Sequence, residues 1–269
     1  MWTSTRRTHA AHATRSRRVG VAVAVLACFG LAACTATEPP SPASTEPPSS
    51  APATEADTIA PFPDGPGGGP AADGVLDAGT YLVTLYPVPF EVTVPDGWGT
   101  GGGGLWKYDP DDPTVGPAIL LSFWPAYYVP TEACAWKGAL VQIDPTAEAF
   151  VDAMTAQAST VSTPPVKVMV GDYSGFEFDH AAESDVDITG CDSWDSANTS
   201  WFCANSELAD NCSGRGYTSD GWERATYRVV DLNGERAVIA MTKSNESNSA
   251  VTKEARAIFD SIEFIGPDE

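Results

Sequence analysis

Ala225-Thr226-Tyr227-Arg228-Val229-Val230-Asp231-Leu232 and Glu235-Arg236-Ala237-Val238-Ile239-Ala240-Met241-Thr242, joined by Asn233-Gly234, decide the fold. Both runs are rich in β-branched and apolar residues, and Asn-Gly tolerates the positive φ angles that a two-residue hairpin turn demands. An antiparallel hairpin is therefore expected over 225–242. Segments of the same character recur at Tyr81–Tyr86, Phe90–Val94, Ala118–Trp124, Val166–Val170 and Gly175–Asp179, each bounded by turn residues, and Asp96-Gly97 marks the turn after Val94.

Two stretches instead repeat apolar residues every three or four positions. Ala147, Phe150, Val151, Met154 and Ala158 form one such face; Val251, Ala255, Ile258, Phe259 and Ile262 form the other. Both predict amphipathic helices. Asp144-Pro145 offers the first an N-cap followed by proline at the first helical position. A mainly antiparallel β-sheet packed by two or more helices, an α+β fold, accounts for the whole pattern.

The folded domain is expected over residues 73–269, about 197 residues and ample for one core. Residues 34–72 differ in kind: positions 35–72 hold ten prolines among Ser, Thr, Ala and Gly, with Phe62 as their one aromatic. Such composition makes an extended, disordered stalk with a reach on the order of 100 Å. Residues 1–33 read as an export signal. Five arginines and no acid occupy the first eighteen positions, Val19 to Ala33 are apolar or glycine, and Leu31-Ala32-Ala33-Cys34 closes the run. Fifteen such residues are short for a membrane span. Ser16-Arg17-Arg18 also matches part of a twin-arginine signal, although Gly20 stands where a large apolar residue is expected, so the export route stays open.

Removal of residues 1–33 leaves ten basic residues against thirty-six acidic ones, a net charge of −26. Such a surface repels phosphate polymers, which argues against nucleic-acid binding and against docking of the folded domain on anionic lipid. His180 becomes the sole histidine. Zinc sites built from several histidines are thereby excluded within one chain, and a Ser-His-Asp triad would have to use it. His180 is expected to be an ordinary polar residue at the end of a strand.

With Cys28 lost with the export signal and Cys34 at its boundary set aside, Cys134, Cys191, Cys203 and Cys212 remain, and an oxidising compartment is expected to make them two disulfides. Three connectivities are open. Cys134 with Cys191 and Cys203 with Cys212 is preferred, because the second pair closes a short loop rich in Asn, Asp and Ser.

Leu31-Ala32-Ala33-Cys34 resembles the bacterial lipoprotein signal, which implies diacylglycerol on the Cys34 sulfur, cleavage before it, and an anchor on the extracytoplasmic face of the cell membrane. Beyond it, Val94-Pro95-Asp96-Gly97-Trp98, Cys134-x-Trp136, Tyr173-Ser174-Gly175 and Asp260-Ser261-Ile262-Glu263-Phe264, in that order, resemble a group of uncharacterised actinobacterial lipoproteins over about residues 78–265. More distantly, the Pro-x-Gly-Trp opening and the closing helix into Ser-Ile-x-Phe are similar to the PsbP family, an α/β/α sandwich. What the resemblance implies is a fold and a non-catalytic, protein-binding character, with no catalytic residues.

Local motifs add little chemistry. Gly101 to Gly104 lacks the Lys-Ser or Lys-Thr of a phosphate loop and reads as a flexible loop. Asp185-Val186-Asp187-Ile188-Thr189-Gly190 opens like a calcium loop, but Ser196 stands twelfth where a glutamate is wanted. No Gly-x-Ser-x-Gly occurs. Trp194, Trp201, Tyr217 and Trp222, with Phe202 and many Asp and Asn residues, could anchor a sugar or a protein partner, or else fold back on the sheet behind a disulfide. No catalytic residue, cofactor or metal is assigned. The expected function is a membrane-anchored, non-enzymatic binding or accessory module with a protein or glycan partner at the cell surface. A wall-glycan hydrolase using paired carboxylates and a calcium-dependent adhesin are the alternatives.

Overall fold

The hairpin forms where Asn233-Gly234 places it. Strand pairing runs antiparallel from Asp231↔Arg236 out to Arg224↔Lys243, and Asn233 and Gly234 take φ angles of 64° and 104°. The computed structural model describes residues 59–63, 74–101, 103–108, 117–192, 201–204, 224–244 and 248–266. Every described residue belongs to one compact unit, Thr54–Glu269. The expected export signal, Cys34 and most of the expected stalk lie outside the described residues.

The described strands are β1 (Ala60–Pro61), β2 (Gly74–Leu76), β3 (Gly79–Val83), β4 (Phe90–Val94), β5 (Trp98–Thr100), β6 (Gly104–Tyr108), β7 (Pro117–Trp124), β8 (Tyr128–Pro130), β9 (Leu140–Gln142), β10 (Thr160–Ser162), β11 (Val166–Val170), β12 (Tyr173–Ala182), β13 (Arg224–Asp231), β14 (Arg236–Lys243) and β15 (Glu263–Phe264). Helices α1 (Ala147–Thr155) and α2 (Ser249–Asp260) complete a mixed α+β fold. Nine strands make the large sheet, in the order β10-β12-β13-β14-β7-β6-β5-β2 with β11 also on β12, all pairs antiparallel. A four-stranded sheet runs β1-β3-β4-β15, and β8 pairs with β9.

Both faces of the large sheet are covered, which is why β14 reads as an unbroken apolar run rather than an alternation. On one face Leu121, Phe123, Ala237 and Ile239 pack with Ile258 and Phe259 of α2 and with Phe90 and Phe264 of the small sheet. On the other, Phe178, Tyr227, Val238 and Ala240 meet Phe150, Val151 and Met154 of α1. The two helices thus lie on opposite faces. Phe90, Phe150 and Phe259 are wholly buried, each contributing about 2–3 kcal/mol.

Three expectations need correction. The N-cap of α1 is Thr146, whose hydroxyl accepts from the Ala149 N–H at 3.2 Å; Asp144 precedes the helix because Pro145 keeps the residue before it extended. Ala158, counted on that helix's apolar face, lies beyond its end in a bridge to Glu132. The third concerns the stalk. Ala60 and Pro61 pair in parallel with Tyr81 and Leu82, and Phe62 is 7% exposed, edge-on to Tyr81 and Phe123 with ring centroids 6.3 and 6.0 Å away. The fold therefore begins before residue 73.

The residues behind the family resemblance carry the fold. Gly97 turns the chain at φ 82°, and the buried Trp98 donates its indole N–H to Glu254 of α2 at 2.6 Å. Gly175 lies where a Cβ would come within 2.3 Å of the Val229 carbonyl oxygen. Trp136, also buried, donates to the Asp192 carbonyl at 2.8 Å.

Candidate functional site

Three regions carry polar chemistry. The first is the segment behind the disulfides. Cys134 is bonded to Cys191, as preferred from the sequence, and closes a loop worth about 4 kcal/mol on the chain-entropy model. Cys203 is also disulfide-bonded, while Cys212 lies outside the described residues. Trp201 and Phe202 are wholly buried, and Cys203 is held by a backbone hydrogen bond from its N–H to the Tyr128 carbonyl at 2.8 Å. Trp201, a candidate for stacking on a ligand, is therefore corrected to a core residue: both ring faces are committed to the interior. Trp194, Tyr217 and Trp222 lie outside the described residues.

The second region surrounds His180, near the end of β12 as expected but wholly buried. Gln157, past the end of α1, donates its two amide protons to the carbonyls of Pro130 and Trp201 at 2.8 and 2.9 Å. Its carbonyl oxygen is thus left to accept from His180 Nε2, 3.2 Å away. That fixes the tautomer, so His180 Nδ1 accepts from the Ser162 hydroxyl at 2.8 Å. Trp201 stands edge-on to the imidazole at 4.7 Å. A serine donating to a histidine resembles a nucleophile and its base, yet the third group is a neutral amide. Burial drives the imidazole down to about 3, so it has little affinity for a serine proton at neutral pH. The cluster ties β10, β12, the end of α1 and the Trp201 segment together.

The third region is a cleft of about 660 Å³ at one end of the large sheet, beside the start of α2. Ala181, Arg224, Lys243 and Ile119 form one row across four neighbouring strands. Arg224 and Lys243 line the cleft as direct cross-strand neighbours, and neither has an ion-pair partner among the described residues. Glu183, Val186 and Ile188 of the loop after β12 form one wall; Ser249 and Thr252 of α2 form another. The calcium-like stretch thus supplies this wall, with the exposed Asp187 capping its own turn by accepting from the Thr189 N–H and hydroxyl at 3.1 and 2.6 Å. Among the described residues no group of three or more His, Cys, Asp or Glu could hold a metal ion.

Further along the same face the charges are paired. Arg228 lies over the Phe259 ring at 4.3 Å and reaches Glu177 at 2.6 Å and Asp260 at 2.9 Å, while Arg256 reaches Glu177 at 2.7 Å. Burial pushes the Glu177 carboxyl up, but hydrogen bonds and charge from Arg256 and Arg228 outweigh it and hold the group below its ordinary value. The contrast marks the cleft: two cations on Glu177 inside the packed network, two cations without an ion-pair partner among the described residues at the sheet end.

Sequence reading missed Arg224 and Lys243, although counting outward from Asn233-Gly234 puts them opposite each other. It also missed Gln157, because one neutral amide beyond a helix carries no pattern. No protein-family model matches the chain, and neither does any curated protein or solved structure.

Proposed function

We propose that the chain is a membrane-anchored, extracytoplasmic lipoprotein whose domain serves as a non-enzymatic binding or accessory module at the cell surface. The observation that carries the anchor is Leu31-Ala32-Ala33-Cys34 after an apolar run and an arginine-rich start. Diacylglycerol on Cys34 supplies two acyl chains, enough for stable attachment where one is marginal. The proline-rich stretch between Cys34 and the fold acts as the spacer that lifts the domain from the bilayer.

Within this reading the domain is a PsbP-like sandwich bound to a protein or glycan partner, or to a solute, rather than a hydrolase. Helices on opposite faces of one antiparallel sheet support the architecture. The neutral third partner and depressed basicity at His180 support binding over acyl transfer, and the cleft offers recognition groups on rigid strand ends.

Membrane and soluble fractions of cells expressing wild type and Cys34→Ala test the anchor. Wild type is expected in the membrane fraction and Cys34→Ala in the soluble extracytoplasmic fraction. Equal partition of the two would reject it.

A further inference from the structure

We infer that the cleft between the strand ends and the start of α2 is a binding site for a small solute carrying one carboxylate or phosphate group. Arg224 and Lys243 stand directly opposite on paired strands, an arrangement that repels when nothing lies between the charges. Neither is neutralised among the described residues, in a chain whose net charge is −21 and whose other close cation pair, Arg228 with Arg256, shares Glu177. An anion placed between Arg224 and Lys243 removes the repulsion. Arg224 offers the planar fork that matches carboxylate or phosphate oxygens, and Lys243 a point charge beside it.

The rest of the cleft narrows the ligand. The positive end of the α2 dipole faces the same space, at Ser249. Ser184 and Ser244 add hydroxyls, while Ala182, Val186 and Ile188 give an apolar side on which a short carbon skeleton can rest. Glu183 brings one negative charge to the lining. Two cations against one carboxylate accommodate a single anionic group and reject a polyanion. The chain's net charge of −21 repels an extended anionic polymer or bilayer, which leaves a free solute.

This deepens the binding-module reading without depending on the anchor, so either can fail alone: fractionation of Cys34→Ala reads the anchor, titration reads the cleft. The full chain in detergent micelles is titrated with inorganic phosphate and, separately, with butyrate, at ionic strength held constant with chloride. Binding is followed by calorimetry and by the thermal midpoint. Saturable one-to-one binding of at least one probe is expected, with the midpoint rising by about 5–10 °C at a hundredfold excess over Kd. Arg224→Gln and Lys243→Gln each weaken it at least tenfold, and Lys137→Gln, outside the cleft, leaves it unchanged. Without ligand, Arg224→Gln and Lys243→Gln keep or raise the midpoint, because a like-charge contact is relieved. The phosphate and butyrate arms identify which oxyanion is preferred. Absence of saturable binding of both probes, or binding by Arg224→Gln and Lys243→Gln equal to that of wild type, overturns the site.

Discussion

Acidification is expected to destabilise the protein between pH 7 and pH 5 through His180. In the fold the imidazole is held at about 3, against 6.5 for the free side chain, because burial penalises the charged form. A folded value below the unfolded one means that protons bind the unfolded chain first, so stability is full above pH 6.5 and lost as pH falls towards 3. The complete loss amounts to about 5 kcal/mol, and between pH 7 and 5 to about 2 kcal/mol. Ser162 can rotate to accept from a protonated Nδ1, so desolvation, not a broken hydrogen bond, sets the size. The window excludes Glu177 and Asp260: both are held below their ordinary values, where burial is outweighed by Arg256 and Arg228, so they lose stability only at lower pH. Thermal unfolding of the full chain at pH 7, 6 and 5 reads the effect, with a fall in midpoint of about 4–8 °C over the range. His180→Gln lowers stability at every pH but flattens the dependence to below about 0.5 kcal/mol. Equal pH dependence in wild type and His180→Gln refutes the reasoning.

Three further outcomes follow from the packing. Phe62→Ala is expected to cost about 2–3 kcal/mol in denaturant unfolding, and a chain starting at Asp73 at least as much, since β1 and its aromatic contacts go together; unchanged stability in both would remove residues 59–63 from the fold. Glu177→Gln is expected to cost about 2–3 kcal/mol because Arg228 is left buried and half-paired, whereas Arg256→Gln, at a more exposed site, costs below about 1 kcal/mol. The reverse order would contradict the network. Gly175→Ala forces a Cβ onto the Val229 carbonyl and lowers stability by about 2 kcal/mol, read as a shifted denaturation midpoint; a neutral result would show that β12 and β13 separate easily there.

The hairpin, five further strands (β3, β4, β7, β11 and β12) and both helices were legible because each rests on a local period that the core then satisfies. Residues 225–242 specify turn, register and burial together, and that register already contains the Arg224 and Lys243 contact. Phe62 was not legible: a single aromatic in a proline-rich run has no period, and its burial depends on Tyr81 and Phe123, far along the chain. Trp201 was misread for a related reason. Aromatics among Asp and Asn look alike whether they face a ligand or the core, and only the Tyr128 and Gln157 contacts turn this one inward. Asp144-Pro145 misplaced a cap by two residues because Thr146, just past the proline, takes the Ala149 N–H and starts the helix there.

Intact-mass spectrometry of the chain extracted from membranes tests the central claim most directly. The account predicts a mature protein beginning at Cys34 and carrying the mass of an attached diacylglycerol, with residues 1–33 absent. A chain that retains those residues, or one whose Cys34 is unmodified, would contradict it.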